Sequence, residues 1–497
     1  MKILFINTHT LWTPHFETEL ELAQLHIDKK DEVHFLHCTG QLSPCDLIIH
    51  QNISKKLLPE TKDSDMCHLC ITKVHTGVSL LSKKIKVHPI IYPGIDSREH
   101  ICEKHHFIDA DGIRNYYYHN YELGESILSS LISHTRNPFP EISKFESVIN
   151  EYIRTGKMLY DSVLLYLKEL QPDRVYIFNG RFTHTRAAVR ACESINQNFY
   201  VHEVGFDVNH YSLSHNATPH SQQLVKDKML TEWQNEPDSE KKYQLAERFF
   251  NNRYNGNMQS VESFTHRQIK GRLPDNWDET KTNVAIFNSS EDEFQAIGSE
   301  WRNTIYLNQL DGIKKIVNDP LVTANKYLHF YLRIHPNLTN VVNEYSQSIL
   351  NMNYPNLTII TPESEISTYD LLFKSNRIIS FGSTMGLEAT YWGVPSILAG
   401  QSYYKFLDVT HNPQSHQEMV QLLLDPFLPP KNKLNTMIAG YFYSVHGYPF
   451  KYYQPTGFLS GLFKGVDLKH ETGKLNKTVT CKLGGFLQKI KSKVNDF

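Results

Sequence analysis

The stretch ISFGSTMGLEATYWGVPSI, residues 379–397, decides how the chain is read. Ile378 to Phe381 is a short strand-forming run, Thr384 to Trp392 has helical composition, and Gly393 and Pro395 punctuate before the apolar Ser396 to Ala399. The pattern is strand, tight turn, helix, strand. Small and hydroxyl residues between a strand and a helix, here Gly382, Ser383 and Thr384, bring free backbone N–H groups and the positive end of a helix to one point, where a phosphate is welcome. Glu388 follows Thr384 by four residues, on the same helix face and ~6 Å further along the axis, so its carboxylate could meet ribose hydroxyls. The same residues also fit an ordinary turn capped by Ser383, with Glu388 in solvent.

Working outward, the same alternation fills the region from about 281 to 430. NVAIFNSSEDEF, KYLHFYLRIHPN, LTIITP, RIISFGST and VPSILAG read as successive strands with polar exits. An α/β sheet binds ligands just past the carboxyl ends of its strands. Three loops qualify: Ser289, Ser290, Glu291 and Asp292 after Asn288; Arg333 and His335 before Pro336; and Gly382 to Thr384. Arginine, histidine and hydroxyls suit a diphosphate or phosphodiester, and adjacent acids suit proton transfer. Each loop alone has a plain structural reading, such as acids favouring a helix start.

Towards the N-terminus, Lys2 to Asn7 predicts a strand, Glu17 to Asp28 a helix with Leu20, Ala23 and Ile27 on one face, and Glu32 to Cys38 a second strand. Glu141 to Leu170 reads as one or two helices, and DRVYIFNGRFTHTRAAVRACESINQNFYVHEVG as strand, turn, helix and strand. Strands alternating with helices predict mostly parallel sheets covered on both faces. The expected organisation is α/β: a Rossmann-like domain over 1–215 with a cysteine-rich insert at 38–75, a helical linker over 216–280, a second Rossmann-like domain over 281–435, and a crossover segment with an amphipathic tail over 436–497.

The totals bound the function. A chain of 497 residues exceeds one ordinary core, and 40% hydrophobic with 21% charged residues is globular composition. A formal net charge of −2 gives no footprint of a nucleic-acid binder. MKILFINTHTLW is a buried strand rather than a leader, and no apolar run approaches the ~20 residues of a membrane span, so a cytoplasmic protein is expected. In CKLGGFLQKIKSKVNDF, Leu483, Phe486, Leu487, Ile490 and Val494 recur at helical spacing among lysines, which suits peripheral contact with an anionic membrane face. Cys38, Cys45, Cys67 and Cys70 follow as C-x6-C-x21-C-x2-C, matching four thiolates for a structural zinc or an iron–sulfur cluster; free thiols are the other reading.

LRIHPN followed by YDLLFKSNRIISFGSTMGLEATYWGVPSILAG resembles the donor-binding half of GT-B glycosyltransferases that build bacterial capsule and lipopolysaccharide, closest to the capsule polysaccharide group that includes Kdo transferases. The resemblance implies two Rossmann-like domains across a cleft, with the nucleotide-sugar on the second and a glycan or lipid-linked acceptor on the first. It implies that His335 contacts or protonates the departing phosphate, that Ser383 and Thr384 bind it, and that Glu388 meets the ribose. A carboxylate acts as general base: Glu291 or Asp292, with Glu203 of VHEVG as rival. Asn179 and Arg181 of FNGR would bind acceptor or donor carboxylate. No acidic D-x-D metal motif stands out, so catalysis without a divalent metal is expected. A nucleotide-sugar 2-epimerase and a non-catalytic carbohydrate-binding protein are the alternatives.

Overall fold

The computed structural model describes residues 1–46, 64–95, 104–257 and 267–469. The proposed tail helix at 478–497 lies outside them. The first half runs β1 (Lys2–Asn7), α1 (His15–Asp28), β2 (Glu32–His37), α2 (Ser64–Ser79), β3 (Lys86–Pro89), α3 (Ala110–Arg114), α4 (Leu123–Thr135), α5 (Glu146–Leu170), β4 (Arg174–Phe178), α6 (Thr183–Ser194), β5 (Phe199–Val204) and β6 (His210–His215). Helices α7 (Gln222–Asn235) and α8 (Ser239–Tyr254) follow. The second half runs β7 (Thr282–Phe287), α9 (Gln309–Val317), α10 (Pro320–Ala324), β8 (Leu328–Arg333), α11 (Glu344–Leu350), β9 (Leu357–Ile360), α12 (Thr368–Lys374), β10 (Arg377–Ser380), α13 (Met385–Tyr391), β11 (Ser396–Leu398), α14 (His416–Leu424) and α15 (Lys433–Val445). Three short strands close the described chain: β12 (Tyr448–Pro449), β13 (Tyr453–Gly457) and β14 (Ser460–Phe463).

The two large sheets share one logic. The first has the order β12-β6-β5-β4-β1-β2-β3 and the second β11-β10-β7-β8-β9. Counted from the first strand of each half, both contain the parallel order 3-2-1-4-5 of a Rossmann sheet. The strand order reverses between β1 and β4 in one half and between β7 and β10 in the other, and a crevice opens at each reversal. The strands are apolar runs buried on both faces, as parallel strands must be; Ile3 to Ile6 and Val284 to Phe287 are almost wholly inaccessible.

The segment expected as a helical linker packs with the second half. Helices α7 and α8 pack as part of the second half: Met229, Ala246 and Phe250 share a core with Leu387, Tyr391 and Met437. The chain then returns to the first half, where β12 pairs antiparallel with β6. That return explains why α1 is buried on more than its apolar stripe. Glu21 accepts the backbone N–H groups of Lys451, Tyr452 and Tyr453 at 2.7–2.9 Å, Glu17 pairs with Lys73 at 2.7 Å, and Glu19 accepts from Asn7 at 2.6 Å. Acids along α1 thus hold the segments packed around it.

Candidate functional site

The loops at the reversal of the second sheet enclose a cavity of about 590 Å³. Ser289 and Ser290 after β7, Arg333 at the end of β8 with His335 just beyond it, and Gly382, Ser383 and Thr384 after β10 all line it. The sheet topology therefore brings together the three loops singled out in the sequence. Gly382 sits at φ +93°, and a Cβ there would stand 2.6 Å from the Gln401 carbonyl, so the turn requires glycine.

Helix α13 is only seven residues long, and the positive charge at its loop comes from elsewhere. Arg253, at the end of α8, donates through Nη2 to Thr384 Oγ1 at 2.9 Å and through Nε to Glu388 Oε1 at 2.7 Å. Tyr369 O–H donates to the other Glu388 oxygen at 2.5 Å. Glu388 is fully buried and does not line the cavity. The direct ribose contact expected of it is therefore corrected: both its oxygens are engaged, and its task is to hold Arg253 at the cavity wall. Arg253 was missed because it lies in a polar segment read as a linker. Glu388→Gln is expected to weaken ribo- and 2′,3′-dideoxynucleotides equally, by about tenfold as the grip on Arg253 loosens, with calorimetry as the measurement.

Arg333 and Ser289 meet the cavity but are largely committed to the frame. Arg333 donates to the carbonyls of Thr361 and Ser364 at 3.0 and 3.1 Å, and burial lowers its pKa to about 10. Ser289 donates to the Phe381 carbonyl at 2.7 Å, pinning the β7 loop to the β10 loop. His335 accepts the Asn337 N–H at Nδ1 (3.1 Å), which places its ring proton on Nε2. Burial, with Arg253, Arg136 and Arg333 nearby, lowers its pKa to about 4, so the ring is neutral at pH 7.

A second cavity, of about 370 Å³, opens between the two halves. Trp12, Asn179, Arg181 and His220 form its first-half side, and Asp292, Glu293 and Phe294 its second-half side. The three consecutive acids of SSEDE form one 3-10 turn, Glu291–Glu293, whose side chains diverge by ~120° per residue. Glu291 turns away from both cavities, accepting from the Gln309 N–H at the start of α9 (3.2 Å) and from the Tyr345 hydroxyl. Asp292 is ion-paired with Arg136 at 2.5 Å. Glu203 stands behind Asn179, whose amide donates to it at 2.8 Å, and lines neither cavity. These placements correct the expectation that Glu291 or Glu203 reaches the reacting atoms.

Glu293, not singled out in the sequence, lines both cavities. It accepts from Asn337 Nδ2 at 2.7 Å. Enclosure in the cleft and neighbouring Asp292 raise its carboxyl above the usual range, against the opposing pull of Arg136 and Arg181. Four first-half arginines hold the loop that carries it. Arg114 donates to the Gln295 carbonyl, Arg181 to that of Glu293 (3.0 Å) and Arg186 to that of Ile297 (2.7 Å), while Arg136 pairs with Asp292.

Burial also raises the Glu291 pKa from 4.5 to about 7. Unfolded chains ionise this acid near 4.5 while the fold retains its proton up to about 7, so stability is lost as pH rises through that window. Glu291→Gln is expected to flatten that loss, seen as denaturant midpoints at pH 5 and 7.5, and to leave turnover within a few-fold.

Cys38, Cys45, Cys67 and Cys70 converge on one small cavity beside Thr8 and Thr10. Burial raises the Cys70 thiol to about 12, with Cys38 and Cys67 adding to the rise. Among the described residues no group of three or more His, Cys, Asp or Glu is placed to hold a metal ion. Metal analysis of untagged protein purified without chelator tests the expected zinc or iron–sulfur site against free thiols.

No family model and no curated protein matches the chain. Among solved structures it is similar to Thermosulfurimonas dismutans KpsC, beta Kdo 2,4 transferase, at 14% identity over 54% of this chain and 79% of that one, with TM-score 0.38. The beta Kdo 2,7 transferase of the same KpsC is 13% identical over 64% and 89%, with TM-score 0.33. UDP-GlcNAc 2-epimerase from Neisseria meningitidis is 13% identical over 96% and 100%, with TM-score 0.24. Two Rossmann-like halves across a cleft make this a GT-B-like fold, and the strand orders carry that assignment. Among the described residues no helix is long and apolar enough to cross a membrane.

Proposed function

We propose that this chain is a glycosyltransferase: it moves a sugar from a nucleotide-sugar held in the second-half cavity to a hydroxyl of a glycan held in the cleft cavity. The observation that carries this reading is the shared wall, since Glu293 and Phe294 line both cavities. A carboxylate there stands where an acceptor hydroxyl meets the donor sugar. Glu293 takes the hydroxyl proton, the oxygen attacks the anomeric carbon, and the bond to phosphate breaks with its electron pair leaving on the nucleotide. Ser383, Thr384, Arg253 and the Nε2–H of His335 compensate the charge that develops there.

The resemblance of the His-Pro and Gly-Ser-Thr loops supports a bacterial surface polysaccharide or lipid-linked glycan as acceptor, and a CMP-linked, Kdo-like sugar as one donor to try. Such an acceptor would place the protein at the inner face of the cytoplasmic membrane. The test is release of nucleotide from CMP-, UDP-, GDP- and dTDP-sugars, with and without glycan acceptors. One donor class is expected to turn over, faster with acceptor present. No nucleotide binding, or epimerised free sugar formed without acceptor, would overturn the reading.

Arg253→Ala is expected to weaken binding of the preferred nucleotide by at least about tenfold, because a charge-assisted contact to phosphate is lost along with the brace on Thr384. Titration calorimetry measures it.

A further inference from the structure

The turn of the β13–β14 hairpin departs from the usual chemistry of such turns. Gly457 pairs with Ser460, so Phe458 and Leu459 are the two residues at its apex. Two-residue hairpin turns favour Asn, Asp and Gly, which tolerate the tight backbone and turn polar groups to water. Here two large apolar side chains stand at that point, Phe458 49% and Leu459 60% exposed. A local rule broken with no gain in packing marks side chains kept for a use.

The hairpin is rooted in the first half. Tyr453 and Phe463 are buried in one core with Phe16 and Leu20 of α1, and the Tyr453 N–H donates to Glu21 at 2.9 Å. Lys464 donates to the Gln24 side chain at 2.6 Å and to the Leu80 carbonyl at 2.9 Å. At the other end, Phe458 borders a small pocket with Pro14, Val204 and His210 of the first half, and it also lines the second-half cavity. Among the described residues lining that cavity, Phe458 alone comes from an element rooted in the first half.

We propose that Phe458 stacks on the nucleobase of the donor, so that a nucleotide held by the second half is covered by a side chain held from the first. This rests on the reading of the second-half cavity as the donor site. On that reading the phosphate lies at Gly382–Thr384 with Arg253, and the transferred sugar at the wall shared with the cleft cavity, Glu293 and Phe294. Phe458 lines the donor cavity and not the cleft cavity, which leaves its ring for the nucleoside. A base offers a flat face to an aromatic ring, and the contact tolerates any of the common bases.

The experiment titrates CMP, UDP, GDP and dTDP into the full chain and its Phe458 variants by calorimetry. These probes carry no sugar to transfer, so any loss of affinity belongs to the nucleotide itself. Phe458→Ala is expected to weaken the nucleotide that binds best by about tenfold, the loss of one base–aromatic contact. Phe458→Leu, which keeps apolar cover without a ring, should lose nearly as much. Phe458→Trp should retain the affinity, with the added indole fluorescence quenched by the nucleotide. An unchanged denaturant midpoint is the control for folding, since the side chain is half exposed at a turn. Unchanged nucleotide affinity in Phe458→Ala, full affinity in Phe458→Leu, or an added indole that the bound nucleotide does not quench overturns the proposal. Failure of the donor-site reading looks different: the unaltered protein would bind none of the four nucleotides.

Discussion

Glu293→Gln is expected to lower sugar transfer by about 10²–10⁴-fold while leaving nucleotide affinity nearly unchanged. The amide keeps the size of the side chain and can still accept from Asn337, which bonds the carboxylate at 2.7 Å, so the loop should stay in place. What disappears is the capacity to take a proton. The pH profile supplies a second reading. As the proposed base Glu293 must be ionised to act, and burial raises its pKa, so turnover should fall as pH drops through a value above the usual carboxylate range. In the Gln variant that acid limb should vanish from the residual rate. A variant within a few-fold of the parent would pass the role to Asp292, which must first leave Arg136 to act.

His335→Ala is the second large effect, a fall of about 10²–10³-fold in transfer as one donor to the departing phosphate is removed. Two roles stay open for this residue, and two variants separate them. With Nδ1 accepting from Asn337 and burial lowering the pKa to about 4, the proposed role is that of a neutral N–H donor rather than a proton carrier. His335→Asn, which retains an N–H donor, should therefore recover part of the loss. A parent enzyme whose rate falls as pH rises through about 6.5, together with an Asn variant as poor as Ala, would instead make His335 a general acid.

The strands and their polar exits were legible because parallel strands are buried on both faces and read as apolar runs. The Rossmann order then places Asn288–Asp292 and Gly382–Thr384 at the reversal point without further information. Two things were not legible. In the SSEDE turn, three acids within one 3-10 turn point three ways, and only the neighbours Tyr345, Arg136 and Asn337 show which acid goes where. Arg253 gave no signal because its partners, Thr384 and Glu388, lie more than 130 positions on, beyond any local pattern.

The grip of Arg114, Arg136, Arg181 and Arg186 on the loop after β7 bears on how such a protein can diversify. GT-B-like halves invite the idea of exchangeable cassettes, a new recognition module joined to an old donor module. Here the loop after β7 in one half is held by four cations contributed by the other half. A hybrid carrying this second half on a foreign first half should still load nucleotide, yet leave Glu293 unsupported. On the proposed reading, a change of sugar or acceptor would have to be made by substitutions that leave the four arginines in place.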